Sequence, residues 1–455
     1  MPSHVEHALL PVVLKKIKTM KTRRDFIRSA VLGASATWTL PGFIDRTFAE
    51  LGDEARDRST QFTTGKDGTI LVVLQLAGGN DGLNTLVPFD NDEYYKARPK
   101  LAKKESDLIR LGDGIGLNNS MPFLGSLFKE GRLGVVQGVG YPNPNRSHFV
   151  STSIWETADT TNRANTGWLG RYFDNACEGV DPTVGISFNK STPESFGAMR
   201  NPGVSLSSPE LYRWIHSGGN QAQAEEFFSE LNQPGNDDED GPTDGGSIDM
   251  PAGGKVGGLA GESNLDFLER VALDAQVSSK KILEVAAKHK TNVHYDGTSV
   301  ARNLNLVSRM IAGGMPTRVY YVSHGGFDTH NGQINSHDRL LGQLDSALKS
   351  FFADLKQQGN DKRVTLMTFS EFGRRVSENA SAGTDHGKAS CMFVAGGGVK
   401  GGLYGKYPSL TELSQGDLNH TVDFRSVYAD LLGGWLKAPN IGKILGGEYK
   451  GIGMT

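Results

Sequence analysis

Residues 319–330 read VYYVSHGGFDTH, and residues 364–374 read VTLMTFSEFGR. Each stretch begins with β-branched and apolar residues, a composition typical of a buried strand in a parallel sheet. Each then turns into a loop that carries acidic residues or histidine. Open α/β sheets bind ligands at the edge where the carboxyl ends of their strands meet. We therefore predict that the two loops contribute to one site at that edge.

Two further apolar runs predict strands earlier in the chain, at residues 68–76 and residues 132–140. The first run is followed by GGNDG at residues 78–82, which places Asp81 at the carboxyl end of its strand. Such a glycine turn allows the backbone to approach a ligand closely. It has neither the spacing nor the following Lys-Ser/Thr of a phosphate-binding loop, and it does not match a dinucleotide fingerprint. The pattern therefore argues against nucleotide binding.

Helices are predicted over residues 264–290, over residues 336–357 and from residue 422 onward. Their alternation with short apolar strands predicts a layered α/β fold. A stretch rich in Gly, Asp, Pro and Ser at residues 233–263 predicts a flexible insertion. The chain has 455 residues and a formal net charge of −3, so it can form one large domain and has no electrostatic footprint for nucleic acid.

The N-terminal segment resembles a twin-arginine export signal. Arg23 and Arg24 are followed by a polar and two apolar residues, then by a modest apolar stretch at residues 29–44 and the small-residue site TFA at residues 47–49. We expect residues 1–49 to be an upstream extension and signal peptide, with Met1 or Met20 as the start. The mature protein is then expected to be exported folded by the twin-arginine machinery, to be periplasmic or secreted, and to have no stable membrane span.

An Asn-rich turn precedes the sequence RSHF at residues 146–149. Ser followed by an apolar-periodic run is typical of a helix start, where its side chain caps the first turn. The same position also allows a catalytic role, because a helix N-terminus stabilises a negative charge and Arg146 adds a positive one. Ser147 is therefore either a helix cap or a nucleophile.

Five motifs together carry a family resemblance: GGNDG at 78–82, RSHF at 146–149, GFDTH at 326–330, SEFGR at 370–374 and TDHG at 384–387. With them the chain resembles the bacterial domain-of-unknown-function family 1501, which is placed in the alkaline phosphatase-like and sulfatase-like superfamily. The resemblance implies an alkaline phosphatase-like three-layer α/β sandwich, with a mostly parallel central sheet flanked by helices. It also implies that residues 50–455 form a single domain of this kind.

The superfamily resemblance further implies a two-metal site beside a nucleophile. The matching positions are Asp81 and Glu371 with the nucleophile Ser147 for one metal, and Asp328, His330 and His386 for the other. Mixed carboxylate and imidazole ligands favour zinc or manganese as the divalent metal. The chain departs from the pattern where Glu371-Phe372-Gly373 replaces the usual Asp-His-Gly, and Ser147 lacks the sequence context that a sulfatase needs for formylglycine.

These residues lead to two hypotheses about function. The first is an exported metal-dependent hydrolase of small phosphate or sulfate esters, in which either Ser147, assisted by Arg146, or a metal-bound water attacks. The second is a periplasmic binding or assembly protein on the same fold whose active site has decayed. The missing imidazole favours the second hypothesis, and the remaining acids and histidines favour the first.

Overall fold

The computed structural model describes residues 68–112, 114–177, 182–189, 191–199, 203–206, 282 and 284–455. All of these residues belong to one compact unit of the chain. The strands are β1 Ile70–Ala77, β2 Leu86–Pro88, β3 Leu108–Gly112, β4 Ile115–Asn118, β5 Leu133–Gly140, β6 Gly185–Ser187, β7 Val204–Ser205, β8 Val319–Gly325, β9 Val364–Phe369, β10 Ser390–Gly396, β11 Gly402–Tyr404, β12 Leu413–Ser414, β13 Asp417–Leu418 and β14 Val422–Asp423.

The α-helices are α1 Gly82–Thr85, α2 Asp92–Ala97, α3 Pro122–Lys129, α4 His148–Thr157, α5 Trp168–Ala176, α6 Ser299–Ala312, α7 Gln333–Gln358, α8 Phe424–Asp430 and α9 Ile441–Leu445. Short 3-10 turns lie at Glu105–Asp107, Pro182–Val184 and Glu194–Phe196, and a π-helical turn lies at Leu431–Trp435. Among the described helices, none combines the length and the apolar character needed to cross a bilayer.

The main sheet has nine strands in the described part of the chain, in the order β11-β5-β10-β9-β1-β8-β6-β7, with β14 also paired to β5. The central strand β1 pairs in parallel with both β8 and β9. Only β10 runs against its neighbours, because it pairs antiparallel with β5 and with β9. The sheet is therefore mostly parallel, as the sequence predicts.

Helices cover both faces of the main sheet. Alternate residues of β1 show this directly, since Val72 and Leu74 pack into one apolar cluster with α3, α6 and α7. Leu71 and Val73 pack into a second cluster with α4, α5 and α8. Burial on both faces explains why β1 reads as a continuous apolar run instead of an alternating one. The predicted three-layer α/β fold is confirmed.

Several element predictions are confirmed closely: strand β9 spans Val364–Phe369 as expected, and α7 extends the predicted helix to Gln333–Gln358. The helix expected from residue 422 starts later, because Val422 and Asp423 pair with β5 as strand β14. Asp423 then caps α8 by accepting from the backbone nitrogen of Arg425. The predicted signal, the insertion at 233–263 and most of the helix at 264–290 lie outside the described residues.

Candidate metal centre

Three neighbouring strands of the main sheet end within two residues of one another. Ala77 at the end of β1 lies beside Gly325 at the end of β8, and Gln75 of β1 lies beside Phe369 at the end of β9. The loops that follow these strands carry most of the predicted site residues. The structure thus brings sequence positions that are hundreds of residues apart to one edge of the sheet.

The loop after β1 approaches its neighbours so closely that it requires glycine. Gly78 and Gly79 have φ angles of +119° and +78°, in the region that L side chains rarely adopt. A Cβ atom on Gly78 would collide with the backbone nitrogen of Asp328, and one on Gly79 would collide with the ring of Phe372. The glycine turn is expected from the sequence to bring the backbone close to a ligand; in the structure it brings the backbone close to the adjacent loops.

Three imidazole rings and one carboxylate converge beyond these strand ends. The Oδ1 atom of Asp328 lies 3.1 Å from Nε2 of His330 and 3.2 Å from Nε2 of His386. These two Nε2 atoms are 2.9 Å apart. The Nε2 atom of His148 lies 3.6 Å from the same Asp328 oxygen, and His148, Asp328 and His386 offer ligand atoms within 4.8 Å of one another. We call His148, Asp328, His330 and His386 the histidine cluster.

The other ring nitrogen of each histidine is held by an oxygen atom. The pairs are Nδ1 of His148 with Oε1 of Glu371 at 2.8 Å, Nδ1 of His386 with the carbonyl of Arg146 at 2.9 Å, and Nδ1 of His330 with Oδ1 of Asp385 at 3.3 Å. A carbonyl or carboxylate oxygen only accepts hydrogen bonds, so these contacts favour a proton on each Nδ1. In the neutral ring, each Nε2 then presents its lone pair to the cluster.

This arrangement fits a cation. With neutral rings, the lone pairs of His330 and His386 face each other and an oxygen of Asp328, so all three atoms are acceptors. A divalent metal among them would replace this repulsion with coordination. Imidazole nitrogen and carboxylate oxygen are ligands that zinc binds well. Metal-ligating histidines also commonly donate their other nitrogen to a carboxylate or carbonyl, as these rings do.

The charges around the cluster shift the pKa values of its members in different directions. Partial burial raises the pKa of Asp328, but the hydrogen bond from Arg374 and the charge of Arg374, with the neighbouring imidazoles, outweigh this effect and hold the pKa below its usual value. The hydrogen bond to Glu371 raises the pKa of His148, against the effect of burial. Burial lowers the pKa of His386. The site therefore keeps Asp328 ionised and favours a neutral His386.

Arg374 fixes the position of the cluster through hydrogen bonds to the surrounding loops. Its side chain is fully buried and donates 2.7 Å hydrogen bonds to the carbonyl of Gly79 and to Oδ1 of Asp328. It also donates to the carbonyls of Thr384 and Phe327 at 2.8 and 3.0 Å. One guanidinium thus ties together the loops that follow β1, β8 and β9.

Asp81 lies in a separate, fully buried network. Its Oδ2 atom forms a 2.6 Å ion pair with Arg98 and accepts from the amide of Gln333, while Oδ1 accepts from the backbone nitrogen of Leu83 at 3.1 Å. Burial raises the pKa of Asp81, but the Arg98 charge and these hydrogen bonds together lower it below its usual value. The structure does not bring Asp81 into the histidine cluster.

Ser147 and Arg146 lie at the start of α4, next to His148. Ser147 is the N-cap residue by position, yet its side chain makes no cap hydrogen bond and is exposed. The guanidinium of Arg146 forms an ion pair with the buried Asp417. The backbone carbonyl of Arg146 thus contacts His386 of the cluster, whereas the guanidinium of Arg146 pairs with Asp417.

Sequence reasoning missed His148 and gave Glu371 a ligand role. Oε1 of the buried Glu371 accepts from Nδ1 of His148 and from the backbone nitrogen of Gly78, both at 2.8 Å. Glu371 therefore contacts a ring of the cluster and orients it from outside. His148 lies in the RSHF motif, but its partner is 223 positions away in the chain, and no local pattern reveals such a contact.

Residues 260–436 match the model of the family described as protein of unknown function (DUF1501). The family resemblance is thus confirmed over a range that contains Asp328, His330, Glu371 and His386. His148 lies outside the matched range. No curated protein matches the chain.

The chain also resembles several solved structures in fold, at low sequence identity. A sulfatase, PsFucS1 from Pseudoalteromonas sp., has 11% identity and a TM-score of 0.35, with 92% of this chain and 78% of that chain covered. The protein Ps i-CgsB has 10% identity and a TM-score of 0.35, with coverages of 83% and 74%. The lipoteichoic acid synthase LtaP from Listeria monocytogenes has 8% identity and a TM-score of 0.30, with coverages of 81% and 80%. These likenesses concern the fold alone.

Proposed function

We propose that the protein is a metal-dependent hydrolase of phosphate or sulfate esters, and that the histidine cluster holds one divalent metal, with zinc preferred over manganese. The observation that carries the proposal is the convergence of three Nε2 atoms on one oxygen of Asp328. A metal bound there would polarise an ester oxygen and lower the pKa of a water molecule or hydroxyl group.

The protein residues supply the remaining requirements. Glu371 and the carbonyl of Arg146 hold the rings of His148 and His386 in the orientation that presents Nε2. The side chains of Asp328 and His330 are 48% and 42% exposed, so a substrate can reach the cluster from solvent. The first turn of α4 adds backbone N–H groups that favour an anionic group at this position.

Ser147 is proposed as the attacking residue. Its exposed hydroxyl is not used as a cap and stands one position before His148 in the chain. Asp81 is proposed to stabilise the loop through Arg98, and Glu371 to position His148. This assignment replaces the two-metal arrangement that the superfamily resemblance implies with a single metal.

The test is a panel of aryl phosphate and sulfate esters, assayed with the metal-loaded protein and after chelation. The proposal is supported if metal-dependent turnover falls by several orders of magnitude in Ser147→Ala while the free energy of unfolding stays nearly the same. Because Ser147 makes no cap bond, that variant is expected to lose less than about 0.5 kcal/mol of stability. If turnover persists in Ser147→Ala, attack by water replaces attack by the hydroxyl.

The second candidate is an exported binding or assembly protein with a decayed site. One observation favours it: the guanidinium of Arg146, which would otherwise clamp an anionic substrate, is paired with Asp417. Fully metallated protein with no turnover across the ester panel would favour this candidate over the hydrolase.

Export is also part of the proposal. Arg23 and Arg24 before an apolar stretch support a twin-arginine signal and a periplasmic or secreted location. Replacing both arginines with lysine should leave the precursor in the cytoplasm. Normal accumulation of the double variant in the periplasm would contradict the signal assignment.

A further inference from the structure

A cavity of about 210 Å³ lies in the described part of the chain and contains none of the cluster ligands. It is lined mainly by polar groups from three segments: the turn before α4, the chain after His386, and the β12–β13 hairpin with the residues that follow it. Five of the lining residues carry polar side chains that can meet a ligand: Asn143, Lys388, Ser414, Asn419 and His420.

The cavity and the histidine cluster share their walls. Asn143 lines the cavity, and the same turn continues through Arg146 to His148. Lys388 lines the cavity two residues after His386. The hydrogen bond from Nδ1 of His386 to the carbonyl of Arg146, 2.9 Å long, joins these two walls. The cavity lining and the cluster are therefore built in part from the same two segments of the chain.

The charges around the cavity favour an anion. Lys388 is a lining cation, and its Nζ donates to the hydroxyl and carbonyl of Ser414 at 2.8 and 3.3 Å, which leaves one ammonium proton for a ligand. Among the described residues that line the cavity, none is acidic. The nearby Asp417 is already paired with Arg146 and lies 3.8 Å from Nε of Arg375.

The neutral lining groups suit an oxyanion as well. Asn143 carries an amide and His420 an imidazole, so hydrogen-bond donors are available beside the ammonium. The amide of Asn419 donates one N–H to the carbonyl of Glu412 at 2.7 Å and keeps the other. A carboxylate, sulfate or phosphate group accepts from all of these donors. A purely apolar group would leave the ammonium of Lys388 without a charged partner.

We propose that this cavity binds a second anionic group carried by the substrate, so that the preferred substrates are esters with a carboxylate, sulfate or phosphate elsewhere in the same molecule. The proposal rests on the proposed ester hydrolysis at the histidine cluster. It assigns Lys388 as a residue that determines specificity, with no part in the chemical step.

The first test compares phosphate monoesters of linear alcohols that do or do not end in a carboxylate. Lys388→Gln should raise KM about fivefold for the carboxylate-bearing esters, the size expected from one partly exposed charge pair. It should leave kcat and the KM of the plain esters unchanged. Lys129→Gln, on helix α3 and away from the cavity lining, is the matched control. Equal changes in KM for both ester types, or no change, would overturn the proposal.

The second test does not depend on turnover. Calorimetric titration of 6-phosphonohexanoate and hexylphosphonate into zinc-loaded protein should give about fivefold tighter binding of the former. Lys388→Gln and Asn143→Gly should both reduce that preference. Glycine suits position 143, where φ is +53°. Equal affinity for the two phosphonates overturns the cavity assignment, even if esters are hydrolysed. If 6-phosphonohexanoate binds more tightly but no ester is hydrolysed, the cavity assignment stands and the proposed reaction is wrong.

Discussion

Two groups of carboxylates and histidines lie beyond the carboxyl ends of the same strands. The polar atoms of one group have matched hydrogen-bond partners, and the inward ring nitrogens of the other do not. In the buried group, the carboxylate of Asp81 is satisfied by Arg98 and Gln333, and Nε2 of His337 meets Oδ1 of Asn80 at 2.9 Å. In the histidine cluster, the ring nitrogens that face inward meet other acceptors. Residue type alone therefore does not identify a ligand; imidazole nitrogens that converge on one carboxylate oxygen do.

The largest expected effect on metal binding is complete loss of the ion from the cluster. His386→Ala removes one inward nitrogen and should reduce bound zinc from about one ion per chain to background, measured by elemental analysis after gel filtration. The stabilisation by metal, about 2.7 kcal/mol at a metal concentration of 100 Kd, should disappear with it.

The matched control is His337→Gln, which alters a buried histidine of the other group. It should retain the metal of the wild type. Loss of zinc from this variant alone would reverse the assignment of the two groups.

The next effect separates the two carboxylates in metal-free protein. Asp81→Asn leaves the guanidinium of Arg98 buried without its ion pair and should lower the free energy of unfolding by roughly 3–5 kcal/mol. Asp328→Asn keeps an acceptor for Arg374 at a half-exposed position and should cost about 1 kcal/mol or less. Urea denaturation in the presence of a chelator measures both. A larger cost for Asp328→Asn would show that the buried pair is not the structural one.

A smaller effect is expected at Glu371, which contacts the ring of His148. Glu371→Gln keeps the shape of the side chain but removes the charge that holds Nδ1 of His148. Zinc affinity should fall about 10–100-fold with the stoichiometry unchanged, as for other residues that orient metal-ligating histidines. Competition with a chromogenic chelator gives the affinity, and loss of the ion altogether would make Glu371 a direct ligand.

The last effect concerns the pH dependence of the stability of the metal-free protein. Burial lowers the pKa of His337 to about 4, below its value in the unfolded chain. The unfolded state therefore takes up a proton first as the pH falls, and stability declines between about pH 6.5 and pH 4 by at most about 1.4 kcal/mol per pH unit. His337→Gln should make this slope shallower in urea denaturation across that window. An unchanged slope would show that His337 does not titrate as a buried neutral ring.

The hydrogen bond to Glu371 raises the pKa of His148, so His148 acts in the opposite direction. Its contribution to stability is present at acidic pH and is lost as the pH rises through its folded-state pKa. His148 and His337 thus oppose each other in the pH dependence of stability.

The contrast between the two groups also explains how much the sequence predicts. Strands β1, β8 and β9 are predictable because burial on both faces gives continuous apolar runs. The neighbouring ends of these strands make the loops with Asp328 and Glu371 predictable as one edge. Hydrogen-bond satisfaction is different, because it depends on partners far apart in the chain. Glu371 lies 223 positions from His148, and Gln333 lies 252 positions from Asp81.

The central claim is that the histidine cluster binds one divalent metal, and anomalous diffraction from crystals of zinc-loaded protein tests it most directly. We expect one strong peak among Nε2 of His148, His330 and His386 and Oδ1 of Asp328, at about 2.0–2.2 Å from these atoms. A protein that binds zinc with no peak at the cluster, or with its peak at Asp81, would contradict the claim.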